Sequence, residues 1–135
     1  MFVSEIHIRV RYGETDRMGF VYYGNYATYF EVARVEALRN LGINYKDMED
    51  GGVSLPVLDF KIKYIKPAFY DELLTIKIQI LELPGVRIKF NYETENEEGR
   101  LLNIAETTLV FVNTATMKPC PAPDFVLEKI APYFN

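Results

Sequence analysis

A chain of 135 residues, 49% of them apolar, with a formal charge of −4 and a pI of about 5.1, can bury a core. It is too acidic for nucleic acid or an anionic membrane to be its main partner. At this length folding hides roughly two thirds of the unfolded surface, so one domain spanning residues 1–135 needs no disulfide or metal to hold it. One His and one Cys exclude the usual zinc ligand sets and leave only His7 for a Ser-His or Cys-His pair. Cys120 stands alone between two prolines, the N-terminus MFVSEIHIRV has neither a basic n-region nor a long apolar run, and no segment reaches membrane-spanning length. The cytoplasm is the expected compartment.

Glu5 to Tyr12 alternates, with Ile6, Ile8, Val10 and Tyr12 on one face and Glu5, His7, Arg9 and Arg11 on the other, which predicts a half-buried strand. His7 falls on its polar face, away from any pocket that a general base needs. A helix follows from about Tyr22 to Leu41, so apolar through Tyr22, Tyr23, Tyr26, Tyr29, Phe30, Ala33, Ala37 and Leu41 that it is expected to be wrapped on most sides. Gly42 suits the position after its C-cap, and Tyr45 to Asp50 reads as a short extra turn. Period two returns in Leu58 to Tyr64, in Leu74 to Ile80 and around Ile88, Phe90 and Tyr92. Pro67, Pro84-Gly85 and Glu97-Glu98-Gly99 separate these runs. Leu101 to Val112 is apolar on both faces and is expected to be a central strand covered twice. PCPAPD reads as a loop, and Phe125 to Ala131 as a short helix capped by Asp124 and ended by Pro132. One long helix after the first strand, then an antiparallel meander, predicts an α+β domain whose sheet of about five strands curls around the helix.

No G-x-S-x-G elbow, phosphate-binding glycine loop or dinucleotide fingerprint is present, so chemistry here falls to carboxylate and backbone. Asp16 lies just before the helix, where unsatisfied N–H groups and the positive end of the dipole favour an anion. The dipole contributes about 0.3–1 kcal/mol, whereas a backbone N–H aimed at a developing oxyanion contributes about 2.7–4 kcal/mol. The helix start therefore matters more as an oxyanion site, and Gly24 would allow close approach to its backbone. A plain capped turn built by Glu14, Thr15 and Asp16 is the structural alternative.

Asp16 to Tyr26, with Tyr12 and Ala33-Arg34, resembles the signature of hotdog-fold acyl-CoA thioesterases of the 4-hydroxybenzoyl-CoA thioesterase type: aromatic, spacer, acid, Thr or Cys, Asp, two spacers, Gly, two aliphatics, then an aromatic-rich segment with Asn and Tyr. Pro67-Ala68, Tyr70-Asp71 and the Thr107-Thr108 to Asn113 segment fit as well. The resemblance implies that Asp16 is the catalytic carboxylate, as nucleophile or as general base for water. It places the carbonyl-polarising backbone N–H at Tyr23, beside Gly24, where many relatives carry His and the hydroxybenzoyl enzyme itself carries Tyr. Asn25 is then an orienting residue and Tyr26 pocket or core. Glu31 matches a position that meets the acyl ring hydroxyl from a neighbouring subunit, against a structural pair with Arg34 at i,i+3. Glu14 is expected to brace the turn. Lys61, Lys63, Lys66, Arg87 and Lys89 are candidates for the coenzyme A phosphates, or simply solvated.

The implied activity is hydrolysis of a small or medium acyl- or aryl-CoA to free acid and coenzyme A, without metal or other cofactor. An acyl carrier protein thioesterase and a non-catalytic acyl-CoA-binding module are the alternatives. The resemblance also implies a homodimer, or a dimer of dimers, in which Leu58 to Tyr64 pairs with its twin and the active sites lie between subunits.

Overall fold

The structure is a computed structural model and describes residues 1–134. Strand β1 (Phe2–Arg9) leads through a 3₁₀ turn (Tyr12–Glu14) to helix α1 (Asn25–Asn40) and the short helix α2 (Tyr45–Asp50). Then come β2 (Val53–Ser54), β3 (Val57–Tyr64), β4 (Leu73–Ile80), β5 (Arg87–Glu95), β6 (Leu101–Val110), β7 (Val112–Asn113) and β8 (Lys118–Pro119). Helix α3 (Asp124–Ile130) and a last 3₁₀ turn follow.

Five strands make one antiparallel sheet in the order β1-β4-β5-β6-β3, and α1 packs on one of its faces in the expected α+β hotdog arrangement. Register explains which side chains meet the helix: Ile6 lies opposite Ile76, Ile78 opposite Tyr92, and Thr107 opposite both Phe90 and Phe60. Because strand side chains alternate, this row shares the inner face and closes on Tyr26, Phe30, Ala33 and Ala37. Phe30 stacks on Tyr92 at 4.4 Å between ring centroids and meets Phe60 edge-on at 5.9 Å. Tyr26 lies 5.9 Å from Tyr64. Gly42 adopts φ +84° after α1, as its sequence position predicts, and lets Ile43 N–H donate to the Leu38 carbonyl at 2.8 Å.

Several expectations need correction. The first strand ends at Arg9, and Tyr12, in the 3₁₀ turn, is 78% exposed, because the Arg11 N–H turns onto the Glu14 carboxylate. Tyr22 and Tyr23 precede α1 and are exposed; the helix buries one stripe, Tyr26, Tyr29, Phe30, Ala33, Arg34, Ala37 and Leu38, and leaves its other flank open. The i, i+3, i+4 spacing of that stripe is amphipathic, and counting aromatics without their period overstated the wrapping. Strand β6 is internal, but its outer face is only partly covered: Ile104 is exposed there, and Glu106, Thr108 and Val110 are half-buried. Asp124 lies inside the first turn of α3, with Pro123 in the cap position. The small sheet β2-β7-β8 was too short to leave a periodic signal. Among the described residues no helix is long and apolar enough to cross a membrane.

Phe30 is wholly buried, so Phe30→Ala removes a stacked ring and leaves a cavity. Urea unfolding should show a loss of about 3–5 kcal/mol, with an unchanged slope against denaturant.

Candidate active site

Residues 15–21 form a tight turn whose ends pair, Thr15 bridging Val21 and Phe20 bridging Phe69. The Asp16 N–H donates to the Phe20 carbonyl at 2.8 Å, and the Gly19 N–H returns to the Asp16 carbonyl at 3.0 Å. Gly19 holds φ +80°, which a side chain would strain. This closure aims the N–H groups of Met18 and Phe20 at Asp16 Oδ1, at 2.8 and 3.3 Å. Among the described residues Oδ2 accepts no hydrogen bond. One carboxylate oxygen is thus pinned by main chain while the other stays available.

Asp16 opens onto a cavity of about 420 Å³ whose walls include Tyr23, Tyr26, Tyr64, Lys66 and Pro67. Val21 is tied to this wall by its N–H, which donates to the Ala68 carbonyl at 2.9 Å. At the start of α1 the N–H groups of Asn25 and Tyr26 fold back onto the carbonyls of Tyr22 and Tyr23. Those of Tyr23 and Gly24 have no protein acceptor among the described residues. They are the orphan donors that every helix start leaves, beside a wall that carries a carboxylate.

Glu14 holds this arrangement in place. Its carboxylate accepts the Arg11 N–H at 2.8 Å, the Arg11 guanidinium at 2.8 Å and the Tyr29 hydroxyl at 2.9 Å. Its carbonyl accepts the Tyr22 N–H at 2.9 Å and Asn25 Nδ2 at 2.8 Å. Partial burial pushes the Glu14 carboxyl up, but the hydrogen bonds from Arg11 and Tyr29 outweigh it and the net pKa lies below the ordinary glutamate range. Burial, then the ionised Glu14 it faces, raises the Tyr29 phenol; burial pushes Tyr26 up to about 12. Both phenols stay neutral near pH 7.

The sequence-derived candidates therefore separate. Asp16, Tyr23 and Tyr26 share the cavity. Asn25 turns away from it to hold Glu14, which braces the turn as expected. Gly24 has an ordinary helical φ of −63°, and an added Cβ would meet the Tyr22 ring at 3.1 Å, so its need is for space beside Tyr22 and not for an unusual backbone. Glu31 is exposed on another part of α1 and makes no ion pair with Arg34. Arg87 and Lys89 project from the outer face of β5, where Lys89 approaches Glu106 at 3.8 Å, and neither lines the cavity. Lys66 is the one basic candidate that does. Tyr64 was not singled out beforehand, although its place at the end of an alternating run ahead of Pro67 marked it as inward-facing. Among the described residues no cluster of His, Cys, Asp and Glu could hold a metal ion. His7, outside the cavity, bonds Thr75 Oγ1 at 3.1 Å.

One cavity is thus lined both by the Asp16 carboxylate and by Tyr23, whose amide at the start of the long helix has no protein acceptor among the described residues. The chain matches the Thioesterase-like superfamily over residues 10–130 and belongs to that family. It is 39% identical to YneP of Bacillus subtilis over 119 residues, 88% of this chain and 86% of that protein. It is 32% identical to the acyl-CoA thioester hydrolase YbgC of Escherichia coli over 122 residues, 90% of this chain and 91% of the other. The structure of a DHNA-CoA thioesterase from Staphylococcus aureus superposes with a TM-score of 0.86 at 38% identity, across 99% of this chain and 85% of that one.

Because the folded pKa of Glu14 is depressed, its contribution to stability is complete above the unfolded glutamate value of about 4.3 and fades as pH falls through the folded value. Glu14→Gln should unfold at lower urea than wild type at pH 7. The gap should narrow below about pH 4.

Proposed function

We propose that this chain hydrolyses the thioester of a small or medium acyl- or aryl-CoA in the cytoplasm, releasing the free acid and coenzyme A. The observation that carries the mechanism is the split carboxylate of Asp16, a residue that lines the cavity: one oxygen is fixed by main-chain N–H groups and the other accepts no hydrogen bond among the described residues. The thioester carbonyl oxygen points at the N–H of Tyr23, with that of Gly24 beside it, and the negative charge that grows there in the transition state is met by donors already in position. Oδ2 draws a proton from water as the water attacks the carbonyl carbon, or attacks that carbon itself to give an acyl anhydride that water then opens. In either route the C–S bond breaks, the thiolate takes up a proton, and one water is consumed. Label found in Asp16 after a single turnover in oxygen-18 water would establish the anhydride route, since only attack of water on the Asp16 carbonyl carbon of the anhydride places it there.

This chemistry calls for no metal or redox cofactor, and coenzyme A enters as part of the substrate. Tyr26 and Tyr64 give the acyl group an aromatic wall, which suits the aryl and short acyl range. Lys66 at the rim is the natural contact for the coenzyme A phosphates. YbgC and the Staphylococcus aureus enzyme are both named for CoA thioesters, which favours CoA over a carrier-protein substrate and catalysis over simple binding.

The active unit in this reading is a homodimer, alone or paired again into a tetramer. Among the described residues strand β3 pairs only with β6, so its other edge presents unpaired backbone groups, flanked by Val57, Leu58, Phe60 and Tyr64 at 38–53% exposure. Such an edge is a template for another strand. An isologous β3–β3 pairing would cover it and bring a second chain to the wall that continues from Tyr64 to Ala68.

Asp16→Asn is nearly isosteric and should keep the fold while hydrolysis of the best acyl-CoA falls on the order of a hundredfold or more. Tyr23→Phe keeps the N–H and should change turnover by no more than a fewfold. A panel of acyl-CoA esters with a thiol readout measures both; near-wild-type rates for the Asn variant would remove Asp16 from the chemistry.

Proline cannot donate a ladder hydrogen bond, so Lys61→Pro in mid-β3 should lose assembly and turnover together. Light scattering at assay concentration is the check. An active wild-type monomer would overturn the shared-site arrangement.

A further inference from the structure

Arg34 is the charged side chain that the proposed chemistry leaves unexplained. It points into the interior from α1 and is only 8% exposed, yet among the described residues none of the ion pairs includes it. Its one side-chain hydrogen bond among the described residues runs from Nη1 to the Tyr92 hydroxyl at 3.2 Å, and that hydroxyl lies 2.6 Å from Thr107 Oγ1. Burial raises the Tyr92 phenol above its ordinary value, and the Arg34 charge offsets this only in part, so Tyr92 remains a neutral partner. A buried cation held by neutral groups is costly unless an anion completes it.

The missing anion is one helical turn away. Glu31 and Arg34 flank the same cavity of about 270 Å³, together with Ala27 and Thr28 of α1 and Val57 and Phe60 of the edge strand β3. Glu31 is exposed and likewise absent from the ion pairs of the described residues. This cavity is continuous with the open β3 edge, and the small Ala27 leaves room for close approach on the same flank of α1. A two-fold axis that joins β3 to its copy sets the two α1 helices side by side and antiparallel. Charges one turn apart on one helix then face their opposites on the other.

We propose that Glu31 of each chain pairs with Arg34 of the second copy, so that two reciprocal ion pairs close the dimer between the helices. The inference rests on the dimer put forward above. It gives Glu31 a role in assembly, separate from acyl recognition and from the intrahelical pair that its spacing suggested. The pairs also fix orientation, because a parallel arrangement would place like charges together.

Charge reversal across two chains tests it. Glu31→Arg alone puts Arg beside Arg, and Arg34→Glu alone puts Glu beside Glu, so each should weaken dimerisation on the order of thirtyfold or more. Mixed in equal amounts they form a heterodimer in which both cross-chain pairs are opposite in sign while every intrahelical pair is alike. Light scattering should show the mixture returning to the dimer mass. Two weakened variants that stay apart on mixing would overturn the cross-chain pair, as would single variants that dimerise like wild type. If circular dichroism shows that Arg34→Glu fails to fold, Glu31→Gln and Arg34→Met replace the two, one carrying heavy isotopes. Native mass spectrometry should then find heterodimer above the statistical half, because only the heterodimer retains one Glu31–Arg34 pair; a statistical or lower fraction refutes it. A monomeric wild type that still hydrolyses acyl-CoA would sink the pair and leave the thioesterase reading intact.

Discussion

Glu14 is the contact on which the geometry of the site depends. It lies between the end of the first strand and the start of the long helix and reaches both, gripping Arg11 through its carboxylate and Tyr22 and Asn25 through its carbonyl. The Tyr29 hydroxyl adds a third anchor from inside the helix. Without these bonds the turn that carries Asp16 and the helix start that carries the free Tyr23 amide would be joined only by chain. A charged acceptor makes stronger bonds than a neutral one, which is why an acid suits a position that holds Arg11 and the Tyr29 hydroxyl at once.

The hub works because its surroundings are stiff. The tyrosine and phenylalanine rings on α1 meet rings from β3 and β5, so the helix is keyed to the sheet over its first turns, where the orphan amides lie. Packed interiors deform little, and the separation of carboxylate and amide inherits that rigidity. Electrostatic stabilisation of a transition state needs donors that do not have to reorganise.

Much of this was legible in the residue pattern. Alternating apolar positions placed β1, β3, β4 and β5 to within a few residues, and Glu14, Asp16, Gly19 and Gly24 drew attention to the turn before the helix. What escaped were features that depend on neighbours distant in sequence. The cover on β6 depends on what lies across the sheet, and the exposure of Tyr12, Tyr22 and Tyr23 depends on where the chain turns, which hydrophobicity alone does not encode. Asn25 belonged to the motif, but its partner is a carbonyl eleven residues back, and no periodicity reports such a bond. The separation of Arg87 and Lys89 from the cavity followed only from the strand order.

Because Asp16 is oriented by the main chain of its own turn, the side chains of that turn are spared the task. Arg17 and Met18 point to solvent, Met18 with 72% of its surface exposed, while the Met18 N–H does the orienting. Substitutions at these two exposed positions therefore leave the bonds that orient the carboxylate untouched. A turn built this way holds its acid by backbone alone, so its outward side chains are open to neutral drift while the carboxylate keeps its place.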